Sequence, residues 1–196
     1  MQSFSQWLDL PELQTARFTS VFRQQFHEWS VERRINFLSV LSEIKALQSV
    51  PGLKTNTKRA SRFKGGPLDG LMHKHFATAR NIVRNLNNHW TPNFKLRRVV
   101  SRMHDRPEDK EYSTDLSPKA IHRIIMGGYE DKNRERSITG DWIIYLKHKH
   151  TNYYLFLAEH DEDQTLIFSR MALCTRKEYP ELEIQMSGSL SKIAPS

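Results

Sequence analysis

The stretch DWIIYLKHKHTNYYLFLAEH, residues 141–160, decides the fold. Its apolar residues fall in two short runs, Trp142 to Lys147 and Tyr153 to Ala158, both rich in aromatic residues and parted by a His-Thr-Asn turn. Runs of this composition and length read as the two strands of an antiparallel hairpin. Side chains alternate along a strand, so His148 and His150 project from the face that carries Trp142, Ile144 and Leu146. Those two imidazoles are expected near one another at the hairpin mouth; His160 follows the second strand at the parity of Tyr154 and Phe156, the register of the pair being open. Beyond the acidic turn Glu159 to Asp163, a further strand is expected at Leu166 to Ser169 and a closing helix at Met171 to Lys177.

Upstream, the period changes. Pro11 suits the first turn of a helix along which Phe18, Phe22, Phe26 and Trp29 recur at three- and four-residue spacing. Ser30 suits an N-cap, after which Ile35, Leu38, Leu41, Ile44 and Leu47 continue the helical spacing until Pro51-Gly52 stops it. These two segments are expected to form an antiparallel helical pair. Leu53 to Pro67 then loses all periodicity and reads as a loop. A third helix is expected from Asp69 to Trp90, with Phe76, Ala79, Val83, Leu86 and Trp90 as its buried seam. Phe94, Leu96, Val99 and Val100 form a β-like run, and Ser117-Pro118 opens and Gly127-Gly128 closes a short helix holding Ile121, Ile124 and Ile125. Glu130 to Arg136 alternates in sign and reads as a solvated connection.

Together these elements define an α+β protein: a helical lobe of about three helices packed with a small, mainly antiparallel sheet of about four strands. Residues 1–90 would form the helical lobe and 91–196 the α+β lobe, with a boundary near Thr91-Pro92 inside one compact unit. The chain of 196 residues, 38% hydrophobic, is large enough for a substantial core. Met1 to Pro11 has neither a basic region nor an apolar run, and no stretch of eighteen uncharged apolar residues occurs, so no export signal or membrane is expected. The single cysteine, Cys174, excludes an internal disulfide and reads as a packed thiol on a helix, in keeping with a cytoplasmic setting.

Charge is the feature that points to a partner. Between Lys54 and Arg102 twelve Lys or Arg residues stand against one acidic residue, Asp69, a local charge of +11 in a chain whose total is +8. A block so lopsided repels itself when compact, and a polyanion relieves it. Nucleic acid is the expected partner, RNA before DNA. The candidate phosphate contacts are Lys54, Lys58, Arg59, Arg62 and Lys64 in the loop, His73, Arg80 and Arg84 on the polar face of the third helix, and Arg97 and Arg98 beyond it. Phe63, Trp90 and Phe94 offer stacking surfaces for unpaired bases.

Nine histidines supply the candidate chemistry, and the string Leu-x-His-Lys-His occurs twice, at Leu71 to His75 and Leu146 to His150. On the expected third helix His73 and His75, two residues apart, would point in opposite directions, so a four-histidine metal site is disfavoured. His148, His150 and His160 are the catalytic candidates. An imidazole can take the proton of an RNA 2′-hydroxyl while another acid protonates the leaving 5′-oxygen, with cations stabilising the phosphoryl oxygens. No metal and no cofactor is needed. A carboxylate-bound metal nuclease through Asp141, Glu159, Asp161 and Asp163 is the weaker form of the same reading, since their spacing is not diagnostic.

Several classes are excluded by motif. Lys64-Gly65-Gly66-Pro67 and Met126-Gly127-Gly128 lack the pattern that cradles nucleotide phosphates, and neither a Gly-x-Ser-x-Gly elbow nor a catalytic-thiol signature occurs. The size, charge, leading helices and later strands resemble the architecture of small ribonuclease toxins, a likeness of layout that transfers no catalytic residue. The sequence therefore supports a small basic ribonuclease. Beside it stand a non-catalytic nucleic-acid-binding module and an interaction or inhibitor protein whose basic surface meets an acidic protein.

Overall fold

A computed structural model describes residues 4–91, 97–98 and 118–183 of the chain. Five strands form one sheet: β1 (Arg17–Phe18), β2 (Ser61–Arg62), β3 (Met72–Phe76), β4 (Asp141–His148) and β5 (Thr151–Ala158), in the order β1-β5-β4-β3-β2. Every pairing is antiparallel except β1 with β5. The class is α+β, with one strand more than expected and three of the five drawn from the first ninety residues.

The β4–β5 hairpin is its spine. Both strands are covered on two faces, which is why their sequences are almost continuously apolar. The turn consists of Lys149-His150, with φ of 45° and 69°, the left-handed pair that a two-residue hairpin turn demands, and not of His-Thr-Asn. Ile144 pairs with Phe156 and Tyr145 with Tyr154, so Leu155 is a bulge and the parity of β5 changes there. Tyr154 and Phe156 consequently enter opposite cores.

One core lies under α1 (Ser20–Val31) and α2 (Phe37–Leu47), where Phe22, Phe26, Val40 and Ile44 meet Phe76, Ile143, Tyr154 and Leu157. The two helices start later than their periodicity implied. Thr19 caps α1, accepting from the Phe22 amide at 3.1 Å and donating to the Leu155 carbonyl at 2.7 Å. Phe18 therefore belongs to β1, and Pro11 opens a separate 3₁₀ turn, Pro11–Leu13. Ser30 lies inside α1, donating to the Phe26 carbonyl, and Asn36 is the cap of α2.

The opposite core lies under a C-terminal helix, Gln164–Glu178, in which Ile167, Phe168, Met171 and Ala172 cover Ile144, Leu146, Leu155 and Phe156. Leu166 to Ser169 is thus helical and not a strand. Asp163 starts that helix early by accepting from the amides of Thr165 and Leu166.

The expected helix from Asp69 to Trp90 is overturned in its first half. Met72–Phe76 pairs residue for residue with β4, His75 opposite Trp142, and α3 begins only at Ile82, ending at Trp90. The supposed seam misleads because Val83 is 76% exposed, while the buried residues of α3 are Asn85 and His89. Asn85 replaces apolar packing with hydrogen bonds to both the amide and the carbonyl of Thr139, at 2.7 and 2.6 Å. The next helix, α4 (Pro118–Arg134), runs straight through Gly127-Gly128 and includes Glu130 to Arg134. A Cβ on Gly128 would lie 2.7 Å from Trp90 Nε1, so this glycine allows close approach of α3 and does not stop the helix. The Gln164–Glu178 helix is accordingly α5. Of the expected run at 94–100 only Arg97 and Arg98 are described, and both are helical; Phe94, Leu96, Val99, Val100 and Ser117 lie outside the described residues. Among the described residues no helix is long and apolar enough to cross a membrane.

Candidate functional site

Strand alternation in β3 creates the site. Lys74 and Phe76 face α2, whereas His73 and His75 face the other way and share one side of the sheet, the reverse of what a helix would give. Trp142, paired with His75, lies on that side, as do Phe63 from the loop and His160 from the turn after β5. Ring centroids stand 5.5 Å apart for His73 and His75, 5.7 Å for His75 and His160, and 5.0 Å for Trp142 and His160. Phe63 closes the cluster, 4.4 Å from His73 and 5.3 Å from Trp142.

The environment keeps two of these rings neutral. Burial, with smaller contributions from the charges of His160 and Lys58, pushes His73 down to about 4. Burial likewise lowers His75 to about 4, against a hydrogen bond between Nδ1 and the Gly140 carbonyl at 2.8 Å. The Gly140 amide also lies 3.2 Å from the same Nδ1, so both backbone groups of Gly140 hold this edge of the ring in place. His73 Nε2 lies 3.2 Å from the Ser61 hydroxyl, and His160 Nδ1 donates to Asp161 Oδ1 at 3.2 Å. Three imidazoles, two of them held as bases at neutral pH, are the chemical content of the cluster. No group of three or more His, Cys, Asp or Glu side chains among the described residues could hold a metal ion.

The catalytic trio expected from sequence is only partly assembled. His160 is in the cluster, but His148 and His150 sit at the opposite end of the hairpin, where His148 pairs with Thr151, whereas Trp142 pairs with Ala158. Six residues of strand separate the two ends by ~20 Å. His148 instead packs 6.4 Å from Tyr153, and His150 is exposed in the turn. His75 and Trp142 were not expected at the site. The signal for His75 was the repeated Leu-x-His-Lys-His string, whose second copy begins in a strand and whose first lies along one.

The cations divide into two sets. Arg80 is committed to Asp141, at 2.6 Å through Nη2 and 3.1 Å through Nε, and to Glu159 at 2.5 Å. Arg84 pairs with Asp161. These residues, expected to face phosphate, are neutralised by the very carboxylates weighed as metal ligands, while Asp163 is occupied in capping α5. The hydrogen bond from Arg80, followed by that from Arg34, holds Glu159 below the usual carboxylate range, and Arg84 does the same for Asp161. Asp141, 1% exposed, also accepts from Asn81 Nδ2 and from the His160 amide, both at 3.2 Å, which orients His160. The second set, Lys54, Lys58, Arg59, Arg62 and Lys64, is exposed and enters no ion pair among the described residues, as do Arg97 and Arg98.

The loop that carries this second set is anchored. Lys58 donates to the Ile138 carbonyl and Ile138 to that of Asn56, at 3.1 and 3.3 Å. Beneath it Lys74 Nζ meets Glu43 Oε2 at 3.1 Å, Thr57 Oγ1 at 2.6 Å and the Lys58 carbonyl at 2.6 Å. Of the expected stacking aromatics, Phe63 is buried in the cluster, Trp90 is half-buried with its Nε1 on the Ile124 carbonyl, and Phe94 lies outside the described residues. Compared with protein-family models, curated proteins and solved structures, the chain matches none.

Proposed function

We propose that the chain is a nucleic-acid-directed protein, a small basic ribonuclease that acts without a metal ion. The observation that carries this reading is the convergence of three imidazoles from two separate segments beside a loop of five exposed cations. In it the neutral His73 takes the proton of an RNA 2′-hydroxyl and the 2′-oxygen attacks phosphorus. His160 protonates the departing 5′-oxygen, leaving a 2′,3′-cyclic phosphate. Lys58 offsets charge on the phosphoryl oxygens, and Arg62 and Lys64 hold neighbouring phosphates. His75, fixed by Gly140, keeps the adjacent rings in position. The working compartment we propose is the cytosol, where active protein is expected to be toxic.

A second reading rests on one observation. His75 is 5% exposed and has Nδ1 held by Gly140, the behaviour of a structural imidazole, so the same basic loop can serve a module that binds RNA without cutting it. Incubation of purified protein with labelled single-stranded RNA and duplex DNA, with and without EDTA, separates the two. Cleavage of RNA that survives EDTA supports the ribonuclease; a salt-sensitive gel shift without cleavage supports the module. Neither shift nor cleavage overturns both and turns attention to an acidic protein partner.

A further inference from the structure

The anchored loop serves two sides of the molecule. The charge of Lys58 is felt by His73 and His75, disfavouring their protonation, whereas its neighbour Arg59 lines a separate cavity of about 350 Å³ between the end of α2, the loop, and the turn after α4. Lys54, Thr55 and Arg136 line it as well, together with a single carboxylate, Glu135. Lys54, Arg59 and Arg136 are exposed and enter no ion pair among the described residues. The lining therefore carries a surplus of uncommitted cations.

Its frame is built and not incidental. Lys74, 5% exposed, forms part of the lining, with its charge already matched by Glu43, so the wall near Thr57 is fixed before any ligand arrives. Arg136, part of the lining, holds a left-handed backbone, φ 50°, which a non-glycine side chain adopts at a cost. Fork-shaped guanidinium groups on a preformed cavity match the oxygens of a phosphate. A cavity of this size takes a phosphate with part of the group that bears it.

We propose that this cavity is a phosphate-binding site, accepting the chemistry shared by a mononucleotide and a nucleic-acid strand. For the strand, the inference rests on the nucleic-acid reading above, with consecutive Lys58 and Arg59 letting one polyanion reach both the imidazole cluster and the cavity. For the free mononucleotide it stands on the cavity alone.

Calorimetric titration of the full chain with adenosine monophosphate, and separately with a short 2′-O-methyl RNA that resists cleavage, tests this. Lys54→Ala, Arg59→Ala and Arg136→Gly are each expected to weaken binding about tenfold, the loss of one charge-assisted contact. Arg136→Gly is expected to keep or raise the melting temperature, because glycine accepts the left-handed backbone, so weaker binding in it is not a folding defect. If RNA binds and no variant changes the affinity of either ligand, the cavity proposal is overturned while the nucleic-acid reading survives. If the mononucleotide alone binds, and the variants lose it, the cavity site stands and the strand reading fails. No binding of either ligand to the wild-type chain overturns the proposal.

Discussion

Lys74→Met removes the cation beneath the basic loop and leaves Glu43, 3% exposed, with only the Thr57 hydroxyl at 2.9 Å. Four contacts of Lys74 Nζ disappear at once, those to Glu43, to the Thr57 hydroxyl and carbonyl, and to the Lys58 carbonyl. Breaking a buried ion pair from one side costs about 3–5 kcal/mol, because the surviving charge has neither water nor a partner. Glu43→Leu alone strands the ammonium in the same way, with about the same cost. The double variant strands no charge and leaves the Thr57 hydroxyl and the Lys58 carbonyl short of partners, about 1–2 kcal/mol for each, while the Thr57 carbonyl loses only a long contact of 3.4 Å. The two single costs should therefore fail to add by at least about 2 kcal/mol in a double-mutant cycle. Urea unfolding followed by circular dichroism measures all four corners, with an unchanged m-value required for the comparison. Additive singles, or a Lys74→Met cost below about 1 kcal/mol, would refute the claim that this pair anchors the loop.

Stability should also depend on acid in two windows. His73 and His75 titrate near 4 when folded and near 6.5 when unfolded, so the unfolded chain binds more protons between those values and stability falls as pH drops from 6.5 to 4. The loss approaches about 3 kcal/mol for His75 and less for the more open His73, and urea midpoints at pH 7 and pH 4.5 would read most of it. Glu159, held below its ordinary value, contributes stability above pH 4.5 that disappears only under stronger acid. Gly140→Ala should cost about 3 kcal/mol or abolish folding, since its Cβ would fall 1.7 Å from the Phe76 carbonyl oxygen, a backbone atom of a paired strand, and thermal melting checks it. Arg62→Ala should lower the salt dependence of RNA binding by about one phosphate with an unchanged melting temperature. Arg80→Ala should instead lower the melting temperature, because it deprives buried Asp141 of its guanidinium.

How far the fold was legible depends on what each segment buries. The β4 and β5 runs declared themselves because both faces of both strands are covered, and Phe22, Phe26, Val40 and Ile44 sit at helical spacing because α1 and α2 each turn one side to the sheet. Strand β3 was hidden: its five residues include two histidines and a lysine, and the buried Lys74 is matched by Glu43, far away in sequence. The chance seven-residue spacing of Phe76, Val83 and Trp90 then suggested one long helix across a strand and a turn. Charge misled for a related reason. The excess between Lys54 and Arg102 is real along the chain, but Arg80 and Arg84 meet Asp141, Glu159 and Asp161 in space, whereas among the described residues the loop cations, with Arg97 and Arg98, enter no ion pair. The histidine site failed at two specific places, the bulge at Leu155 that resets parity and the tight Lys149-His150 turn that holds His148 and His150 at the far end of the hairpin from His160.

The most direct test of the account is the rate of EDTA-resistant cleavage of single-stranded RNA by four variants measured side by side: His73→Ala, His160→Ala, His148→Ala and His150→Ala. The cluster at β3 and the β5 exit requires a loss of roughly 10²-fold or more in the first pair and little change in the second, with RNA binding retained in all four. Full activity in His73→Ala and His160→Ala, or loss confined to His148→Ala and His150→Ala, would contradict it.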